Sequence, residues 1–107
     1  MKKRGETVID ASWLIEVVIN WGEEHNLHDP IMQFAKVNEE VGEIAHELTR
    51  NHLDTPEIKD AIGDSLVTLI ILSNILGFDP VDCLAAAYEE IRDRKGITEN
   101  GTFVKEQ

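Results

Sequence analysis

Apolar residues recur every three or four positions through most of the chain, the spacing that places side chains on one face of an α-helix. The clearest example is the stripe Phe34, Val37, Val41, Ile44 and Leu48. The segment from Leu66 to Leu76 is apolar on nearly every side. A helix without a polar face lies at the centre of its bundle or is covered by another subunit. The pattern therefore predicts an all-α, four-helix bundle-like fold.

Proline and glycine mark where the predicted helices begin and end. The pairs Asp29-Pro30, Thr55-Pro56 and Asp79-Pro80 each place a capping side chain before a proline at the first helical position. Gly77 and Gly96 stand where two of the helices should end. The helices predicted in this way span residues 11–25, 30–50, 56–76 and 80–95.

The pattern changes after Gly96. An Asn100-Gly101 pair lies between short stretches of β-prone residues, which predicts a β-hairpin at about 97–105. Two isolated strands are only marginally stable, so we expect the hairpin to lie against the bundle or a partner chain. The length of 107 residues fits a single domain, residues 1–107, with a helical core at about 11–95.

The composition of the chain restricts which ligands and which cellular location we expect. The formal net charge is −11, with ten basic against twenty-one acidic residues, so we expect no binding of nucleic acid. A phosphorylated small molecule remains compatible if a divalent cation lies between carboxylates and phosphates. The single cysteine, Cys83, allows no internal disulfide and is expected to be buried. No secretory signal or spanning segment is visible, so we expect a cytoplasmic protein without a membrane partner.

Acidic residues cluster on the second and third predicted helices. Glu40 and Glu43 share one helix face, because residues three apart are neighbours on a helix. On the third helix, Glu57, Asp60 and Asp64 also share a face. That face continues into the apolar stripe, so we expect Asp64 to be near buried surface, where a carboxylate is costly unless it is paired or binds a cation.

The two acidic clusters are also expected at the same height along neighbouring helices. The loop between the helices centres near His52, with Glu40 twelve residues before it and Asp64 twelve after it, and with Glu43 nine before and Asp60 eight after. In an antiparallel helix pair these levels coincide. Four converging carboxylates without a basic residue at that level favour a bound Mg²⁺ or Mn²⁺. The alternative is a solvated acidic helix face.

The acidic segment resembles a known family. The run Glu39-Glu40-Val41-Gly42-Glu43-Ile44-Ala45 is similar to the E-E-x-x-E motif of the MazG-like all-α nucleoside triphosphate pyrophosphohydrolases, and Gly63-Asp64 before Leu66-Val67 resembles the second half-site. The resemblance covers residues 13–95. It implies Mg²⁺-dependent hydrolysis of a nucleoside triphosphate to the monophosphate and pyrophosphate, by a homodimer or homotetramer.

The resemblance also implies roles for individual acids. Glu40, Glu43 and Asp64 would bind the metal directly, with Asp60 as a fourth ligand, and Glu39 would position the attacking water. Ala61 stands where the family motif has glutamate, which leaves the number of metals open.

Two assignments of the family's second acidic half-site, here called frames, also remain open. The pair Glu57 and Asp60 matches E-x-x-D literally. We favour the frame of Asp60 and Asp64, because its helix levels and the apolar residues that follow agree better with the motif.

Four further residues are candidates for substrate binding. Trp21, one turn before His25, is either a ring that stacks on the base or part of the core. Lys36 either reaches a phosphate or pairs with a glutamate at the surface. Arg94 and Lys95 resemble the family's basic helix end that closes over phosphates, although any helix C-terminus attracts cations.

The sequence also partly matches two other interpretations. Glu43 and His46 match the E-x-x-H element of di-iron bundles, which need a second such element that this sequence lacks. A non-catalytic, metal-binding or regulatory helical module of the same fold is the alternative to the enzyme, and Ala61 is the residue that favours it.

Overall fold

The computed structural model describes residues 3–4, 7–51 and 53–107. His52, the predicted loop centre, lies outside the described residues. The chain divides into two compact units, residues 1–77 and 78–107. The first contains two short strands and three helices: β1 (Lys3–Arg4), β2 (Thr7–Val8), α1 (Ala11–Glu24), α2 (Pro30–Thr49) and α3 (Pro56–Ile75). The second contains α4 (Pro80–Ile91), β3 (Gly96–Glu99) and β4 (Thr102–Lys105). The all-α class with a C-terminal hairpin is confirmed.

The three predicted helix starts are confirmed by their caps. Asp29 Oδ1 accepts a hydrogen bond from the backbone N–H of Ile31 at 2.9 Å. Asp79 Oδ1 accepts one from Val81 at 2.7 Å, and Thr55 caps α3 in the same way. These side chains satisfy N–H groups that have no partner within the helix.

The first unit is organised around α3, which packs against both α1 and α2. Val37, Ala61 and Ile71 form its buried apolar core. Gly22 of α1 faces Ile71, and a Cβ atom on Gly22 would lie 3.2 Å from Ile71 Cγ1. The glycine therefore allows α1 to approach α3 closely. Because α3 packs against both other helices, the helix that contains the apolar segment from Leu66 onward is central within this unit.

The hairpin of the second unit confirms its turn signal. β3 and β4 pair antiparallel, with Glu99 opposite Thr102. The two turn residues, Asn100 and Gly101, have φ angles of 51° and 79°, the left-handed backbone that a two-residue turn requires. By contrast, the short antiparallel pair β1–β2 near the N-terminus was not predicted.

The predicted end of α4 was wrong by four residues. The helix ends at Ile91 instead of Lys95, because Gly96 is not its terminator but the first residue of β3, opposite Lys105. A Cβ atom on Gly96 would meet the Val104 carbonyl oxygen and lie 2.6 Å from the Phe103 ring. The glycine is required by strand pairing, which is not a local property of the sequence.

No residue of α4 is buried. Cys83, expected to be buried, is exposed, since it lies on this helix. Among the described residues no single helix is both long and apolar enough to cross a membrane, and α3 and α4 reach that threshold only when counted together across the break between them, by length and composition alone.

Candidate functional site

A cavity of about 560 Å³ lies in the first unit, walled by the end of α1, the loop that follows it, and facing parts of α2 and α3. Four of the residues predicted from the sequence contribute to its wall: Trp21, Lys36, Glu40 and Asp64. They come from three different helices. Of the predicted groups, the cavity therefore brings together an aromatic ring, a cation and two carboxylates. A third carboxylate on the wall, that of Asp29, caps α2.

The two carboxylates reach the cavity from opposite helices. The side chain of Glu40 on α2 is only 16% exposed, whereas Asp64 on α3 is exposed. The sequence predicted that Asp64 lies near buried surface, but the structure leaves it exposed. The buried part of this helix face begins further along α3 and includes Ile71. Solvent therefore reaches the Asp64 carboxylate.

Glu43 and Asp60 are exposed and do not contribute to the cavity wall. Each lies about one turn closer to the α2–α3 connection than its partner on the wall. Among the described side chains, no group of three or more histidine, cysteine, aspartate or glutamate residues is arranged to hold a metal ion. The described arrangement thus presents Glu40 and Asp64 to the cavity, together with Asp29, whose Oδ1 is engaged in capping α2. Glu43 and Asp60 flank this group outside the wall.

Lys36 belongs to the cavity wall and to an ion pair at the same time. Its Nζ lies 3.2 Å from Glu39 Oε1 and 3.6 Å from Glu40 Oε1. The hydrogen bond to Glu39, together with the charges of Glu39 and Glu40, raises the pKa of Lys36 above its ordinary value. Lys36 therefore carries a full positive charge at neutral pH. Glu39 itself is exposed and lies outside the cavity wall.

Trp21 and His25 form an aromatic pair at the end of α1. Their ring centroids are 4.3 Å apart, with the planes tilted by 33°. His25 Nδ1 lies 2.8 Å from the carbonyl oxygen of Trp21; since a carbonyl only accepts, Nδ1 carries the donated proton. Trp21 is 49% exposed, so it is not part of the core and its ring remains accessible beside the cavity.

Gln33 is a cavity residue that no motif in the sequence predicted. It lies on α2, is buried, and its Nε2 donates a hydrogen bond to the carbonyl oxygen of Thr68 on α3 at 3.2 Å. Gln33 precedes Val37 by four positions, so it continues the apolar stripe of that helix. A glutamine on an otherwise apolar face was the signal that could have identified it.

Arg94 and Lys95 belong to the second unit and follow the end of α4 rather than forming its last turn. They line a shallow depression together with Glu90, Asp93 and Lys105, among others. The basic pair is therefore surrounded by both signs of charge.

Only one of the two frames considered for the second half-site includes a cavity residue. Asp64 lies on the wall, whereas Glu57 and Asp60 do not.

A comparison with known protein families covers this part of the chain. Residues 30–96, more than half of the chain, match the model of the MazG nucleotide pyrophosphohydrolase domain. The chain belongs to this family. The matched region contains the acidic segments of both α2 and α3, whereas Trp21 precedes it. The MazG domain is thus built here from the helices that supply Lys36, Glu40 and Asp64.

A relative is the uncharacterized 18.2 kDa protein from the rep-hol intergenic region of Haemophilus phage HP1. It is 37% identical over 75 residues, which cover 67% of this chain and 45% of that protein. The chain therefore spans less than half the length of this relative. No solved structure matches the chain.

Proposed function

We propose that this MazG-family protein is a Mg²⁺-dependent nucleoside triphosphate pyrophosphohydrolase. The observation that carries the proposal is the cavity that Glu40 and Asp64 line from two helices, together with the Lys36 ammonium and the Trp21 ring. Carboxylates and a cation suit a metal-bound polyphosphate, and an accessible aromatic ring suits a base. The negative net charge of −11 makes a bare polyphosphate a poor ligand.

The carboxylates of Glu40 and Asp64 suit the coordination chemistry of Mg²⁺. This ion usually retains several waters and binds through one or two carboxylates plus substrate phosphates, without a complete cage of protein ligands. Glu40 and Asp64 would hold it, and the exposure of Asp64 leaves room for water and phosphate oxygens. When bound, the metal would neutralise and orient the triphosphate.

The chain's own residues would then position the reactants. Lys36 would bind phosphate oxygens and Trp21 would stack on the base. Glu39 would accept a proton from the attacking water, whose oxygen bonds to the α-phosphorus as the bond to the bridging oxygen breaks and pyrophosphate leaves. Because Glu39 is turned toward Lys36, this role requires its side chain to reorient.

Glu43 and Asp60 have supporting roles in the proposal. Both lie about one turn outside the wall on the same side of the carboxylate pair, where they would bind a further cation or orient waters on the first. For Arg94 and Lys95, in the second unit, we propose a phosphate-binding role on the family resemblance alone.

The nature of the products tests the proposal most directly. With Mg²⁺ present, a nucleoside triphosphate should yield the monophosphate and pyrophosphate in equal amounts, as separated by ion-exchange chromatography. Orthophosphate and diphosphate as the products would contradict the assignment even if the protein were active. Omission of Mg²⁺ with a chelator is the control.

The alternative function is a non-catalytic module that binds a metal-nucleotide complex. Ala61 favours it: this alanine replaces the glutamate of the family motif and is only 5% exposed, so the position contributes no ligand. Such a module would bind Mg²⁺-nucleotide in equilibrium dialysis and leave the triphosphate intact after prolonged incubation.

We further propose that the protein is a homodimer or homotetramer. Apolar side chains remain exposed in both units, including Leu66 and Leu69 on α3 and Leu84, 71% exposed, on α4. Large exposed apolar surface is uncommon on a monomer. Light scattering at micromolar concentration should give at least twice the chain mass of 12.1 kDa, and Leu84→Asp should lower it. A stable species of the chain mass would contradict the assembly.

A further inference from the structure

A buried amide interrupts the apolar part of the cavity wall. Gln33 is 7% exposed and lines the cavity near Met32, Val67 and Ile71. Burying an amide is costly unless its polar groups are hydrogen-bonded. One N–H group of Gln33 is accounted for, since Nε2 donates to the carbonyl oxygen of Thr68 at 3.2 Å.

This hydrogen bond determines which way the amide faces. A carbonyl oxygen only accepts, so the Gln33 atom beside it must be the nitrogen. Rotating the amide by half a turn would bring two oxygens together. The hydroxyl group of Thr68 does not offer a donor to the rotated amide, because it donates to the carbonyl oxygen of Ser65 at 2.9 Å. Gln33 therefore keeps its remaining N–H donor and its oxygen acceptor in one fixed order.

We propose that Gln33 selects between keto and amino nucleobases in this cavity. Uracil and cytosine have nearly the same shape, but uracil presents an oxygen acceptor where cytosine presents an amino donor, and the adjacent ring nitrogen changes in the opposite sense. Hypoxanthine and adenine differ in the same way. An amide that rotates freely would bind both members of a pair, whereas a fixed amide binds one order better.

The rest of the cavity is compatible with a base at Gln33. Trp21 supplies a flat ring on the same wall, and base stacking on an aromatic ring is tolerant of base identity. Stacking therefore supplies affinity, and the fixed amide supplies selectivity. Lys36 follows Gln33 by three residues on α2, and Glu40 follows Lys36 by four. The groups proposed for the phosphates thus continue along the same helix, which gives a nucleotide one direction of binding.

The test uses binding of nucleoside monophosphates to the full chain with Mg²⁺, measured by calorimetry, because it needs no hydrolysis. The compared pairs are UMP with CMP and IMP with AMP. Wild type should prefer one member by about tenfold, the range of a well-placed hydrogen bond. Gln33→Met keeps the length of the side chain but has neither an amide donor nor an amide acceptor, and should reduce the preference to within about twofold.

Two further variants separate selectivity from folding. Gln33→Glu keeps the shape of the side chain but cannot donate both to Thr68 and to a base, so it should also lose the preference. Asn38→Leu replaces an exposed amide of α2 outside the cavity wall and should retain it. Melting curves identify which variants are folded.

Equal affinity of wild type within both pairs would overturn the role of Gln33, as would an unchanged preference in the folded Gln33 variants. Failure to bind any of the four monophosphates would overturn it as well. The inference rests on the proposed function only for the identity of the ligand as a nucleotide. Base-selective binding without pyrophosphate release would refute the hydrolase and keep Gln33, whereas pyrophosphate release without base preference would do the reverse.

Discussion

Asp64→Asn should abolish pyrophosphate release and leave the metal-free protein as stable as wild type. The variant removes one of the two cavity carboxylates proposed to hold the metal, at nearly constant volume. A metal that stabilises charge on phosphate oxygens contributes several kcal/mol to the transition state, and each 1.36 kcal/mol is tenfold in rate. We therefore expect kcat/KM to fall by at least about a hundredfold. Asp64 is exposed, and substitutions at exposed sites usually change stability by less than about 0.5 kcal/mol.

Melting curves with Mg²⁺ give a second, independent measurement. A ligand that binds only the folded state stabilises it by RT ln(1 + [L]/Kd), about 2.7 kcal/mol at one hundred times Kd. Wild type should show such a rise with Mg²⁺ and a non-hydrolysable nucleotide analogue, and Asp64→Asn should show little of it. An unchanged response together with near-normal activity would identify Asp64 as an ordinary solvated surface residue.

Glu57→Gln is the matched control on the same helix. Glu57 is exposed, lies outside the cavity wall and occupies the first turn of α3, where a negative charge interacts favourably with the helix dipole. Its replacement should cost about 0.3–1 kcal/mol of stability and leave turnover unchanged. The opposite result, with loss of activity in Glu57→Gln and not in Asp64→Asn, would move the half-site to the frame of Glu57 and Asp60.

Local features of the fold were predictable, because their causes lie within a few residues in the chain. The caps at Asp29, Thr55 and Asp79 accept hydrogen bonds from backbone N–H groups two or three residues further on. The hairpin turn depends on two residues with positive φ. The end of α4 was not predictable in this way. It depends on Gly96 fitting against the backbone of Val104, eight residues further on.

The sequence predicted at which height along the helices the candidate residues lie, but not which way each helix is turned about its axis. Counting residues from the loop placed Glu40 and Asp64 at the same height in an antiparallel pair, and the structure has both on one cavity wall. The same count could not determine how each helix is turned about its axis, so it did not separate this pair from Glu43 and Asp60. Gln33 was missed because an isolated glutamine carries no motif.

Lys36→Met should raise KM by about ten- to a hundredfold with a much smaller change in kcat. Lys36 is the cationic side chain on the cavity wall, and a charge-assisted contact to phosphate contributes this much to binding. The phosphates carry their charge in the ground state as well as in the transition state, so the lost contact should appear mainly in KM. Initial rates over a range of substrate concentrations separate the two parameters.

The ion pairs of Lys36 determine how the KM effect should depend on pH and on salt concentration. Because its pKa is raised by Glu39 and Glu40, Lys36 remains charged at every pH below its ordinary value of 10.5 and loses its charge only as pH rises above that value. The KM effect should therefore be constant from pH 7 to about pH 9, and its decline at higher salt should follow from screening.

Lys59→Met is the control, since Lys59 is an exposed lysine of α3 outside the cavity wall. It removes one positive charge from the same protein, so any general effect of the more negative surface on an anionic substrate appears in both variants. Only the effect of a direct phosphate contact is specific to Lys36→Met. If the two variants raised KM equally, Lys36 would be no more than the surface partner of Glu39 and Glu40, and the phosphates would have to be bound by other groups.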